Sequence, residues 1–159
     1  MKKHAHMNRL RFVLTMISFI FFANSVFSQE YDPGIMRTVN ALFDGMREGD
    51  STKVRNAFAL GSTMMSVPES PKDSIAAKKS PIDGFVKAVG KPHSEKWDEQ
   101  IYKVNISVDG PMAIVWAPYK FFLGEKFSHC GVNVFTLIKI NSAWKITSIT
   151  DTRRKEGCL

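Results

Sequence analysis

The sequence has few of the residues on which metal sites and thiol chemistry depend. Its 159 residues include two cysteines and four histidines, and only His93 and His129 lie beyond the first 28 positions. No Cys-x-x-Cys or His-x-x-x-His spacing occurs, although zinc sites commonly use such pairs. A glycine-rich phosphate loop, a Gly-x-Ser-x-Gly elbow and a dinucleotide-binding glycine pattern are also absent. We therefore expect neither a metal site nor a cofactor.

Acidic residues are absent before Glu30, whereas positions 2, 3, 9 and 11 are Lys or Arg. The apolar run FVLTMISFIFF follows, and SVFS offers small residues for cleavage after Ser28. This is the pattern of a secretory signal peptide. The apolar stretch at 12–27 is also shorter than the roughly 20 residues that span a membrane. We predict a signal peptide at 1–28, a periplasmic or secreted protein, and no stable membrane insertion after cleavage. An uncleaved anchor is the alternative.

Residues 29–159 have the length of a single domain with one core. Without the four basic residues of the first segment, 18 Lys and Arg remain against 15 Asp and Glu. No broad basic face is evident, so nucleic acid is not an expected partner. Cys130 and Cys158 both lie in this domain, and an oxidising compartment permits a disulfide between them. Two unpaired thiols are the alternative.

Helical spacing of apolar residues predicts a first helix that starts at Asp32 and Pro33 and stops at Gly49. A short second helix follows, capped by Asp50 or Ser51. The segment STMMSV at 62–67 is predicted as a strand, and the Pro-rich segment at 68–81 as a loop. A third helix is predicted with Ser80 as its N-cap and Pro81 at its first position.

Four strand candidates complete the chain, at 97–108, 112–123, 132–140 and 144–150, joined by the turn-like segments DGP, GEKFSH and NSA. Helices followed by antiparallel strands predict an α+β fold. The last three candidates carry apolar residues on both faces, for example Ala113 to Trp116. Helices covering one face and a partner chain covering the other would explain this, so we expect a homodimer.

Polar residues gather at the open end of the last hairpin. Counting outward from the NSA turn pairs Ile140 with Trp144 and places Asp151 opposite Val132 or Asn133. Arg153 and Arg154 then lie beside 129–131. A His with a nearby carboxylate could act as a general acid or base. A structural ion pair between Asp151 and an Arg is the alternative. In the aromatic segment WAPYKFF, which holds Trp116 and Tyr119, Pro118 suggests an edge or a bulge.

The order of these elements, and above all the segment HCGVNVFTLIKINSAWKITSITDTRR, resembles exported bacterial members of the nuclear-transport-factor-two-like superfamily. Those members are grouped as SnoaL-like or "putative lumazine-binding" proteins. The resemblance covers residues 31–154 and makes 29–159 one domain of this type. It implies a cone-shaped fold, with N-terminal helices packed on a curved, mainly antiparallel mixed sheet around a pocket, and a homodimer. Ketosteroid isomerase chemistry does not carry over, because the first helix has Val39 and Phe43 inward and no Tyr, and STMMSV has no acid.

Three functional hypotheses follow. The leading one is an exported protein that binds a small apolar or aromatic ligand in the cone without catalysis. Its ligand contacts would be Trp116, Tyr119, His129, Asn133, Asp151 and Arg153. The second is an acid–base enzyme of dehydratase, isomerase or cyclase type that uses His129 with Asp151 or Tyr119. The third is a dimeric interaction module whose cone is filled by its own side chains.

Overall fold

Three helices precede or interrupt the strands of one sheet. The computed structural model describes residues 31–68 and 79–158, so the predicted signal peptide and most of the predicted loop at 68–81 lie outside the described residues. The helices are α1 (Gly34–Glu48), α2 (Ser51–Ala57) and α3 (Asp83–Val89). The strands are β1 (Phe58–Pro68), β2 (Lys79–Pro81), β3 (Trp97–Ile101), β4 (Asn105–Asp109), β5 (Met112–Leu123), β6 (Lys126–Ile140) and β7 (Ala143–Arg153).

The first two helices form as their spacing predicts. The apolar stripe of α1 is buried, and α1 ends at Gly49, whose φ of 69° is the left-handed conformation that glycine adopts without strain. Asp32 accepts a hydrogen bond from the Gly34 amide at 2.8 Å, which supports the start of α1. Asp50 caps α2 by accepting from the Lys53 amide at 2.9 Å.

The predicted start of the third helix is wrong. Ser80 and Pro81 belong to β2, where Ser80 pairs with Met64 of β1, and the helix begins after Ile82. Pairing with β1 holds the backbone of β2 extended, so the serine cannot cap a helix. Ile82 is buried, and its amide donates to the Ser62 carbonyl at 3.3 Å, which fixes the turn into α3.

The strands form one mixed sheet in the order β2-β1-β7-β6-β5-β3, with β4 also paired to β5. Only the β1–β7 pair is parallel among the described strands, and the others are antiparallel. This confirms the predicted α+β class and the mainly antiparallel mixed sheet. The strand predicted at 97–108 is in fact two strands, because Lys103 has a φ of 47° and breaks the extended run. The predicted turn GEKFSH shortens to Gly124 and Glu125, since β6 already starts at Lys126.

The strands β3 and β4 lie along the same edge of β5, one at each end. The β3 pairing ends at Tyr119, and the β4 pairing begins at Trp116. Pro118 falls in the gap between them, where its carbonyl accepts from the Tyr102 amide at 3.0 Å. Its missing N–H therefore leaves no ladder bond unmade. The bulge in the β5–β6 pairing lies further along, between Phe121 and Phe122.

The last hairpin has the register that the sequence predicts at its open end, although not at its turn. Ile140 pairs with Ala143 rather than with Trp144, and a bulge between Thr136 and Leu137 shifts the pairing by one residue. Asp151 consequently lies opposite Asn133, as expected. Beyond it, Cys130 pairs with Arg154, and a disulfide joins Cys130 to Cys158.

The hydrophobic core lies between the helices and one face of the sheet. Buried side chains of α1, α2 and α3 pack against the inward residues of β5, β6 and β7, among them Val115, Phe135 and Ile146. The opposite face of β5 carries large apolar side chains in solvent. Met112, Ile114 and Trp116 are 45%, 42% and 47% exposed.

Candidate active site: a cavity between the helices and the sheet

A cavity of about 300 Å³ lies between α1, α3 and the inner face of the sheet. It sits where the inward side chains of β3, β5, β6 and β7 meet the helices. Most of its wall is apolar, and its polar side chains come from the strands. The lining residues are Leu42, Phe43, Met46, Met64, Phe85, Ala88, Trp97, Glu99, Tyr119, Phe121, Leu123, His129, Asn133, Phe135, Ile149, Asp151 and Arg153.

Aromatic contacts hold the apolar wall in place. Phe43 of α1 meets Phe135 of β6 edge to face, with ring centroids 6.0 Å apart. Trp97 of β3 meets Phe121 of β5 in the same way at 6.4 Å, and the His93 ring stacks on Trp97 at 4.6 Å. Such pairs fix ring orientations beyond what area burial alone would do. The wall therefore has a defined shape.

Asp151 is the centre of a polar cluster at one end of the cavity. It is 5% exposed, and it faces inward because β7 alternates Ile149, Asp151 and Arg153 on the cavity side. Its carboxylate accepts hydrogen bonds from Ser66 Oγ at 2.5 Å and from Arg153 Nε at 2.7 Å. A buried carboxylate needs such partners. The carboxylate of Asp151 is therefore already hydrogen-bonded by side chains of the same chain.

Tyr119 also directs its hydroxyl into the protein. Its side chain is buried, and the hydroxyl donates to the Thr152 carbonyl at 3.0 Å, with a longer contact of 3.4 Å to Asp151 Oδ2. Burial, together with the charges of Asp151 and Glu99, raises the pKa of Tyr119. The phenol therefore keeps its proton.

His129 lines the cavity as a neutral side chain. Its Nδ1 is 3.0 Å from Ser128 Oγ, and its ring lies against Tyr119 and Phe121, with centroids 5.7 and 5.1 Å away. Burial lowers the pKa of His129, and the positive charge of Arg153 lowers it further. Within the described residues, His129 makes no hydrogen bond to Asp151 or to the Tyr119 hydroxyl. The acid–base pairs that the sequence suggested are not assembled.

Glu99 is the functional candidate that the sequence interpretation missed. It projects from β3 into the cavity, and Asn133 Nδ2 donates to its Oε1 at 2.6 Å. Burial raises the pKa of Glu99 to about 7, and the nearby charge of Asp151 adds to the rise, while the Asn133 hydrogen bond opposes it. A signal was present in the sequence, because Trp97, Glu99 and Ile101 alternate on one face of the strand. An acid between two apolar residues at this spacing indicates a buried carboxyl.

Five of the six side chains predicted to contact a ligand are brought together here: Tyr119, His129, Asn133, Asp151 and Arg153. The sixth is a correction. Trp116 does not line the cavity, because its side chain points to the opposite face of β5, where it is 47% exposed. Residues alternate across a strand, so Trp116 and Tyr119, three positions apart, lie on opposite faces.

The described residues contain neither a metal-binding cluster nor a membrane-spanning helix. Across residues 31–68 and 79–158, no group of three or more His, Cys, Asp and Glu side chains is placed to hold a metal ion. Of the helices described, none is long and apolar enough to cross a membrane.

A protein-family model described as "Putative lumazine-binding" matches residues 31–150. The comparison with curated proteins found no match. Among solved structures, an NTF2-like protein of unknown function from Shewanella baltica OS155 is 20% identical, with a TM-score of 0.59, covering 84% of this chain and all of that one. A similar NTF2-like protein from Methylobacillus flagellatus KT is 18% identical, with a TM-score of 0.56, covering 77% of this chain and 90% of that one.

The beta subunit of a "putative aromatic-ring-hydroxylating dioxygenase" from Novosphingobium aromaticivorans DSM 12444 has the same fold. It is 16% identical, with a TM-score of 0.64, and the match covers 78% of this chain and 89% of that one. At these identities the similarity concerns the fold. It confirms the cone-shaped, nuclear-transport-factor-two-like architecture that the sequence predicts.

Proposed function

Since the chain belongs to the "Putative lumazine-binding" family, we propose that its cavity binds a small apolar or aromatic ligand. The observation that carries this proposal is the cavity itself. Its volume of about 300 Å³ lies at the lower end of the range for small-molecule sites, and a mostly apolar wall with a few polar groups is their usual form. A cone filled by its own side chains would leave no such space, which supports ligand binding over the interaction-module hypothesis.

Binding without catalysis is the function that the polar groups support best. Asp151 accepts from Ser66 and Arg153, and the Tyr119 hydroxyl donates to a backbone carbonyl. General acid–base catalysis needs a group within hydrogen-bond reach of the proton that it moves. Asp151 and the Tyr119 hydroxyl are hydrogen-bonded within the chain, and His129 has no orienting carboxylate among the described contacts. Glu99 has an oxygen that Asn133 does not bond, but its described side-chain partner is the neutral amide of Asn133, so no second acid or base is paired with it.

Native mass spectrometry of protein purified from its own host tests the proposal. We expect wild-type protein to retain an added mass that denaturation releases. Ala88 of α3 lines the cavity, so an Ala88→Trp variant fills it and should lose that mass. A Lys87→Trp variant adds the same ring at the neighbouring exposed position and should retain the ligand. Equal retention by the Ala88→Trp variant would place the ligand elsewhere and overturn the proposal.

We also propose that the protein is exported, on the strength of the basic and apolar segments at its start. N-terminal sequencing of protein from the cell envelope should then begin at Gln29 or within a few residues of it. A first residue of Met1 or Met7 would contradict export by this signal.

A homodimer through the outer face of the sheet is the third part of the proposal. Met112, Ile114 and Trp116 form a row on β5, two residues apart, and each is more than two-fifths exposed. An exposed apolar patch of this kind marks an interaction surface. Light scattering at micromolar concentration should give twice the mass of the chain, and the mass of one chain would contradict the dimer.

A further inference from the structure

The described lining residues of the cavity include two carboxyl groups and one guanidinium. The charged side chains among its described lining residues are Glu99, Asp151 and Arg153. Arg153 Nε donates to the Asp151 carboxylate at 2.7 Å, so the positive charge of Arg153 is already paired. Among the described side chains, Glu99 accepts a hydrogen bond from the neutral amide of Asn133, at Oε1. When Glu99 ionises, the site has a net charge of one negative unit.

Among the described lining residues, Arg153 is the cation that acts on Glu99, where it lowers the pKa, but Arg153 is already paired with Asp151. From α1 the cavity receives Leu42, Phe43 and Met46, and from α3 it receives Phe85 and Ala88, all uncharged. The strands contribute Tyr119, His129 and the Asp151–Arg153 pair as the other titratable groups. Arg47 of α1 lies near β3, but it pairs with Asp44 and Asp98 and does not line the cavity.

A partly buried carboxylate without a cation is costly, and a charged ligand would supply that cation. The cavity wall has the composition that suits an organic cation. Six aromatic rings line it, and aromatic faces attract ammonium groups, more strongly when water is excluded. These rings belong to Phe43, Phe85, Trp97, Tyr119, Phe121 and Phe135.

We propose that the ligand of this cavity is an organic monocation, an amine with an aromatic or alkyl body, whose ammonium group pairs with Glu99. This inference rests on the proposed function and names its ligand class. The ammonium would donate to Glu99 Oε2, the oxygen that Asn133 does not bond, and the apolar body would lie among the rings. The Asp151–Arg153 pair would remain intact.

The affinity for such a cation depends on pH, because Glu99 must lose its proton before it can pair with an ammonium group. The pKa of Glu99 is about 7, so at pH 6 Glu99 is mostly protonated and must release a proton to bind an ammonium group. From pH 6 to pH 8 the affinity for a cation should therefore rise about tenfold. A neutral ligand that accepts a hydrogen bond from protonated Glu99 would show the opposite trend.

Three matched probes test the inference: 1-naphthylmethylamine, 1-naphthylmethanol and 1-naphthoate, measured by calorimetry at pH 6 and pH 8. We expect the amine to bind at least tenfold more tightly than the alcohol at pH 8, and the carboxylate to bind most weakly. A Glu99→Gln variant keeps an oxygen for Asn133 and removes the charge. It should lose tenfold or more of the amine affinity, together with the pH dependence. Its affinity for the alcohol should change less than threefold, which also shows that the cavity is intact.

The outcomes separate this inference from the proposed function. If the alcohol binds as tightly as the amine, and Glu99→Gln affects both equally, the cavity is a binding site and the cation inference is overturned. Preference for the carboxylate overturns it as well. If none of the three probes binds, the cation inference fails, and the proposed function is decided separately by ligand retention in wild type and Ala88→Trp.

Discussion

Replacing Glu99 by Gln is expected to stabilise the ligand-free protein at pH 8 and to change its stability little at pH 5. In the folded chain the pKa of Glu99 is about 7, against the ordinary value of 4.5 that applies when the chain is unfolded. Between these two values the folded chain holds a proton that the unfolded chain has released. Stability therefore falls as the pH rises from about 4.5 to about 7.

The size of this effect follows from the two pKa values. At 1.36 kcal/mol for each pKa unit, the difference between 4.5 and about 7 corresponds to about 3 kcal/mol. The Glu99 side chain is only partly buried, so solvent screening reduces the effect and we expect roughly 2 kcal/mol. The glutamine side chain is neutral at every pH and can still accept from Asn133 Nδ2. It therefore avoids the penalty above pH 7.

Urea unfolding of both proteins at pH 5, 6, 7 and 8 measures this directly. The free-energy difference between Glu99→Gln and wild type should grow in favour of the variant as the pH rises, and level off near pH 8. Glu125→Gln makes the same chemical change at an exposed turn between β5 and β6 and is the control. A Glu99→Gln variant that is less stable than wild type at pH 8 would refute the reasoning. That result would mean that the carboxylate is paired in the folded protein.

Three further predictions concern other parts of the structure. Asp151→Asn removes the buried negative charge that accepts from Ser66 and Arg153, so urea unfolding should show a loss of about 2 kcal/mol; unchanged stability would contradict a stabilising role of this half-exposed pair, and unchanged ligand binding would remove Asp151 from the site. Cys158→Ser opens a disulfide that spans 28 residues and should lower stability by about 3 kcal/mol; thermal unfolding identical to that of the oxidised wild type would contradict this. Trp116→Glu places a charge on the proposed dimer surface and should give monomers by light scattering, whereas a persistent dimer would exclude that surface.

The sequence predicts those elements whose patterns are local. The stripe of α1 buries one face of a helix, and α1 ends at Gly49 because glycine accepts the left-handed conformation there. The last hairpin has its predicted register at Asp151 because a bulge compensates for the unexpected pairing at the turn. The alternation along β5 likewise predicts which residues face the core, and the misplacement of Trp116 came from ignoring that alternation.

Other features depend on tertiary contacts that no local pattern contains. Ser80 and Pro81 have the signature of a helix start, yet pairing with β1 holds them in a strand. The break of the 97–108 segment into two strands depends on how both lie along β5 around Pro118. The environment of Glu99 also depends on a tertiary contact. Asn133 is 34 residues away in the sequence, and it can reach the Glu99 carboxyl only because β3 pairs with the end of β5.

The central claim, that the cavity binds a small ring-containing molecule, is tested most directly by NMR of protein labelled at methionine methyl groups. Met46 and Met64 line the cavity, whereas Met112 lies on the outer face of the sheet and is a built-in control. On titration with 1-naphthylmethylamine at pH 8, the methyl signals of Met46 and Met64 should shift and saturate, and that of Met112 should stay in place. Saturable shifts at Met112 with none at Met46 and Met64 would contradict the claim.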